Sequence, residues 1–185
     1  MKQKILAVCL VLICVSIAAT GTLTYYTAET TAHNVVTTGL VRLELKEIFP
    51  QEGVTDALPD NKIPKVVWVE NTGTVPAWVR VSVRLEVTDR HGSPLPAALP
   101  DGTQLIGWTL MPGWLRDEEG FFCYERVLQP GESTANLMEK VTLSEKMGNE
   151  YKKSQIRLIL NAYGVQSSHN GGSVLEAEGW PEKTA

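Results

Sequence analysis

The stretch AWVRVSVRLEVT, Ala77 to Thr88, decides the fold class. Its apolar residues fall on every second position: Ala77, Val79, Val81, Val83, Leu85 and Val87. Trp78, Arg80, Ser82, Arg84 and Glu86 occupy the positions between. Successive side chains of an extended chain leave opposite faces, so this alternation predicts a half-buried β-strand.

Working outward, GLVRLELKEI repeats the pattern, with Val41, Leu43 and Leu45 alternating with Arg42, Glu44 and Lys46. KVVWVEN, LIGWTL, GFFCYERVL, STANLMEKVTL and SQIRLILNAYGVQ are further strand candidates, giving about seven or eight strands in all. ENTG (Glu70 to Gly73), DRHG (Asp89 to Gly92), MPGW (Met111 to Trp114) and QPGE (Gln129 to Glu132) supply turns. There Gly, or Pro followed by Gly, meets the need for a fixed or positive φ. HGSPLPAALPDGT, with three prolines and two glycines, reads as a surface loop. Only SEKMGNEYKK has helical character, and Gly148 limits it to a turn or two. No βαβ rhythm is present, so the expectation is an all-β, antiparallel, jelly-roll-like sandwich with a very short helix, preceded by an N-terminal signal helix.

The ends of the chain differ from its middle. Lys2 and Lys4 precede an uncharged run from Ile5 to Ala19, the layout of an export signal. A spanning helix needs about 20 apolar residues, which this run reaches only by including Thr20, Gly21 and Thr22. Cleavage after Ala18, Gly21 or Thr24 is compatible with the sequence. The expected organisation is a signal peptide over 1–24, an extended segment over 25–38, a sandwich over 39–168 and a tail over 169–185, in which Trp180 can dock back.

Removal of the signal takes the basic residues from 17 to 15 against 21 acidic ones, a formal charge of 15 − 21 = −6. No basic nucleic-acid footprint remains. Cys9 and Cys14 leave with the signal, so Cys123 stands alone and no intramolecular disulfide can form.

Catalytic patterns are sparse. His33, His91 and His169 are far apart, and no HExxH, CxxC, GxSxG or phosphate loop occurs, so neither a metal, a cofactor nor an enzymatic activity is expected. Cys123 lies in the aromatic strand FFCYE without a recognisable base, as a buried core thiol would. RDEEG, Arg116 to Gly120, is read as a solvated turn. Trp108, Trp114, Phe121, Phe122 and Tyr124 are read as core aromatics in preference to a glycan platform.

With these motifs in order, the chain resembles the TasA/camelysin family of exported Gram-positive proteins, processed by a SipW-type signal peptidase. The resemblance runs from GTLTYYTAETTAHNVVTTGLVRLEL through WVENTGTVPAWVRVSV, similar to the family's V-x-N-x-G strand-turn-strand. It continues through GFFCYERVLQPGEST, similar to an aromatic strand followed by an L-x-P-G-E turn, to IRLILNAYGVQ. Thr24 stands where the family has a small residue before the cut, which leaves an earlier cut, or none, open. The resemblance implies a secreted subunit of biofilm-matrix fibres at the cell surface or in the matrix. Its partners would be copies of itself, the signal peptidase during export, and other matrix components, with membrane contact only through the signal.

In such fibres the freed N-terminal segment adds as a strand to the next subunit. Tyr26, Ala28, Thr30, Ala32 and Val36 share the uncharged face of 25–38 and would be the inserted side chains; Glu29 and His33 lie on the other face. Two other functions compete. One is a monomeric surface adhesin using Trp78, Trp114 or Trp180; the other is a camelysin-like metalloprotease, for which no ligand spacing is visible.

Overall fold

A computed structural model describes residues 40–50 and 60–181, all belonging to one compact unit. Among them are nine strands: β1 (Leu43–Ile48), β2 (Lys62–Asn71), β3 (Ala77–Thr88), β4 (Pro94–Leu95), β5 (Ile106–Trp108), β6 (Trp114–Arg116), β7 (Phe122–Tyr124), β8 (Met138–Leu143) and β9 (Gln155–Gln166). A single 3-10 turn, Asn149–Tyr151, is what SEKMGNEYKK forms. The described residues are all-β, and every strand pairing among them is antiparallel.

One sheet has the order β1-β2-β8-β5. In the other, β3 is central: β9 pairs with its whole length on one side, while β7 and β4 share the opposite side and β6 continues from β7. The inward faces of the two sheets close on one core, to which β1 contributes Leu43 and Leu45, β2 Val67 and Val69, β3 Val79 and Val81, and β9 Leu160 and Ala162. This is the sandwich-like packing expected of two alternating apolar faces.

The register fixes two details that the residue pattern left open. Pro64 lies inside β2, where it cannot donate to a ladder, and the β2–β8 register shifts between Pro64 and Val67. Gly164 in β9 faces β1 of the opposite sheet so closely that a Cβ there would lie 2.7 Å from Leu43 Cδ1 and 2.8 Å from Val41 Cγ1.

β4 and β6 were not expected. Pro94–Leu95 lies in the segment read as a surface loop, and Trp114–Arg116 overlaps the ends of two segments read as turns, MPGW and RDEEG. Strands of two and three residues are too short to show a period. The former loop also buries Leu99, which with Leu105, Val87 and Tyr151 forms a satellite core at one end of β3.

The half-buried reading of β3 is corrected as well. Its first six residues, Ala77 to Ser82, are buried on both faces. Trp78 joins Phe121, Cys123, Tyr163 and Val165 in a second core on the outer side of the sheet, and Val174 and Ala177 from the C-terminal segment cover it.

The predicted turns form, with glycines used in two ways. Gly92, Gly113 and Gly131 have φ of 84°, 91° and 79°. In QPGE the Glu132 N–H donates to the Gln129 carbonyl at 3.0 Å, closing the Pro-Gly turn. Gly73 differs, because it is needed for close approach: a Cβ would sit 2.6 Å from both Arg42 N and Leu40 O.

In DRHG the Asp89 carboxylate accepts from the His91 N–H at 2.7 Å and the Ser93 N–H at 2.9 Å. Those backbone donors, Ser93 first, hold its pKa below the ordinary carboxylate value. A lowered folded-state pKa means stabilisation that is present above the unfolded value, about 3.9, and is lost as pH falls through the folded one. Asp89→Asn is therefore expected to unfold at lower urea than the parent at pH 6. The gap should close below about pH 4, as paired urea titrations would show.

Candidate functional site

The sequence-predicted residues divide into two groups. Ala18, Gly21 and Thr24 at the proposed cuts, and Tyr26, Ala28, Thr30, Ala32 and Val36 on the proposed inserting face, lie outside the described residues. The remaining candidates are in the sandwich and can be placed.

The tryptophans proposed for an adhesin do not form an exposed platform. Trp78 is 6% exposed and donates from Nε1 to the Asn170 carbonyl at 2.9 Å. Trp114 is 5% exposed, donates to the Ala135 carbonyl at 3.0 Å, and packs on Tyr124 with ring centroids 5.2 Å apart. Trp180 is half-buried and donates to the Ala177 carbonyl at 2.9 Å. With Nε1 satisfied and the ring packed, each tryptophan does what a core aromatic does.

RDEEG is the turn of the β6–β7 hairpin: the Asp117 N–H donates to the Phe121 carbonyl at 3.0 Å, and Asp117 Oδ1 accepts from the Phe121 N–H at 2.8 Å. His91 and His169 are exposed turn residues. Among the described residues no three His, Cys, Asp or Glu side chains converge as metal ligands would. Cys123 is buried beside Asp117, with Sγ 3.6 Å from Oδ2, and burial pushes the thiol up to about 12, away from nucleophilic thiolate chemistry. A concavity of about 220 Å3 lined by Tyr124, Arg126, Val127, Glu132 and Ser133 is below the roughly 300–1,000 Å3 of ordinary ligand pockets.

What the sandwich does offer is backbone. Among the described strands, β1 and β9 are the outermost of their sheets on the same flank, where Val41 and Leu43 meet Gly164. The two edges are not equivalent. β1 has six residues, and its outward side carries charge: Lys46 Nζ lies 2.6 Å from Glu44 and 3.9 Å from Glu70. Short length and edge charge are devices that discourage a further strand.

β9 runs for twelve residues, all in register with β3, and from Leu158 to Val165 it contains no charged side chain. Among the described residues no strand pairs with its other side. A strand at the edge of a sheet is the kind of element to which a further antiparallel or parallel strand can add. Pattern reading found β9 as a strand but not as an edge, because edge position depends on topology.

The two motifs behind the family resemblance meet in space. Asn71 of ENTG is fully buried; its Nδ2 donates to the carbonyls of Val75 and Leu128, each at 2.9 Å, and its Oδ1 accepts from Gly73 N–H at 3.0 Å. Its main chain bonds Gly131 and Glu132 of QPGE. One asparagine therefore ties the turn after β2 to the turn after β7, beside the point where the chain enters β1 at Leu40. No protein-family model, curated protein or solved structure matches the chain.

Proposed function

We propose that the protein is a secreted, non-enzymatic subunit of an extracellular, biofilm-matrix type of fibre, built by donation of residues 25–38 of one copy to the β9 edge of the next. The observation that carries this reading is the contrast between the two edges. β9 is long, uncharged over its middle and last in its sheet among the described strands, while β1 is short and charged.

The donor has matching chemistry. Tyr26, Ala28, Thr30, Ala32 and Val36 line one face of a Thr- and Val-rich segment that favours extended backbone, and it directly precedes the chain entering β1. Donation from one copy to the next is heterologous, so it propagates unless a ring closes. Jelly-roll topology is part of the same proposal: the antiparallel pairs β2·β8 and β3·β7 are nested in sequence and lie in opposite sheets, as in a rolled-up hairpin.

Deleting Tyr25 to Val36 is expected to abolish filaments in electron micrographs while leaving the β-type circular dichroism spectrum unchanged. A synthetic 25–38 peptide should block assembly of the parent in a dose-dependent way. Filaments that persist in the deletion variant sink the proposal.

A further inference from the structure

The outer side of the β9-β3-β7 sheet is covered by the chain's own C-terminal segment, and the manner of covering is unusual. Among the described residues no main-chain hydrogen bond joins 171–181 to a strand. The segment satisfies itself instead. Asn170 Nδ2 donates to the Glu178 carbonyl at 3.0 Å and its Oδ1 accepts from the Glu178 N–H at 2.8 Å, while Gly172 N–H donates to Glu176 Oε2 at 3.0 Å. Gly171, at φ 71°, allows the tight return, since a Cβ there would lie 2.8 Å from the Glu176 main chain. It is a closed loop with its own internal bonds.

Its hold on the sheet comes from two hydrogen bonds at Asn170, whose carbonyl accepts from Trp78 Nε1 at 2.9 Å and whose Nδ2 donates to the Gln166 carbonyl at 3.1 Å, and from packed side chains. Val174 and Ala177 bury on Trp78, Phe121, Cys123, Tyr163 and Val165. Trp180 lies over Arg80, whose guanidinium carbon is 4.5 Å from the Trp180 ring and 3.8 Å from the Phe121 ring. Arg80 is 9% exposed, its Nε has no hydrogen-bond acceptor, and its carboxylate partner, Glu119, is 3.6 Å away and largely in solvent. A desolvated, incompletely partnered cation opposes closure, whereas stacking on two rings favours it. The closed arrangement is thus a balance that water reaching Arg80 would tip.

We propose that residues 168–181 form a strap that opens as a unit from the folded sandwich, with Trp180 on Arg80 as its catch, uncovering the apolar face made by Trp78, Phe121, Cys123, Tyr163 and Val165. Closed, the strap keeps out of solvent a second apolar sheet face that would otherwise invite association. Open, it presents that face while the main core remains intact. The device depends on the sandwich alone, so it stands or falls independently of strand donation.

Cys123 is a native reporter, because its buried, protonated thiol reacts only when uncovered. The full-length protein is exposed to a thiol-specific reagent in native buffer at pH 8 and low urea. Modification at Cys123 is followed by mass spectrometry of its peptide, which separates it from Cys9 and Cys14. Labelling is expected to be nearly independent of urea well below the unfolding transition. Trp180→Ala should accelerate it at least about tenfold, the loss of one desolvated cation–π contact, while the circular dichroism unfolding midpoint shifts little. Val67→Ala, in the main core, should lower that midpoint and leave native-state labelling almost unchanged. If Cys123 labels only with global unfolding, following Val67→Ala and not Trp180→Ala, the strap does not open as proposed.

Discussion

Asn71→Ala is expected to lower the unfolding free energy by about 3–5 kcal/mol, enough to unfold a large fraction of a marginally stable domain. The side chain is fully buried, and its three hydrogen bonds, to Val75, Leu128 and Gly73, are with main-chain groups of two segments, the turn after β2 and the stretch before QPGE. Alanine leaves two carbonyls and one N–H without that partner, each costing about 1–3 kcal/mol when buried. Asn71→Asp keeps the shape yet removes both donors and adds a buried charge, so it should be comparably severe. Thr72→Ala is the control: its hydroxyl is exposed and only 3.4 Å from the Arg42 carbonyl, and the change should stay within about 0.5 kcal/mol. Urea unfolding followed by tryptophan fluorescence distinguishes these outcomes. An Asn71→Ala midpoint equal to that of Thr72→Ala would overturn the role assigned to Asn71.

The second large effect is expected where the two sheets approach most closely. Gly164→Ala places a methyl group 2.7 Å from Leu43 Cδ1 and 2.8 Å from Val41 Cγ1, and should cost about 1–3 kcal/mol by overpacking. Leu43→Ala, at a residue 3% exposed, should cost about 2–5 kcal/mol through the cavity it leaves. The informative variant is the double one. The new methyl group fills part of the space left by Leu43, so the double variant should be more stable than the sum of the single losses predicts, by about 0.5 kcal/mol or more. Strict additivity would mean that Gly164 and Leu43 are not packed together as described.

Alternation in Ala77–Thr88 is enough to identify a strand, and seven segments chosen on pattern alone each contain one. The same alternation misplaces Trp78, Arg80 and Ser82, all buried; Trp78 and Arg80 are covered by a segment some ninety to a hundred positions later. Period two reports that two faces differ. It cannot report that the more polar face is also covered.

Arg80 shows the limit most clearly. Its burial against Phe121 and Trp180 runs against the usual preference of arginine for the surface, so no residue-by-residue rule would find it. The β9 edge is invisible for a different reason: a strand's sequence describes its faces, while its lateral partners are set by topology. Trp180 has a legible signal, being the lone aromatic of the tail, and it does dock on the sandwich.

The twelve-residue β3–β9 ladder also dictates an order of events in time. Its end pairs, Ala77 with Gln166 and Thr88 with Gln155, lie 89 and 67 positions apart along the chain. Closing such long loops has an entropic cost that must be met before any of the ladder's bonds form, which places the protein among slow, non-local folders. Until residue 166 is available, the most regularly alternating strand of the molecule waits with one side open. Anything that delivers the last strand late, or holds it back, leaves β3 as the surface on which misassembly begins.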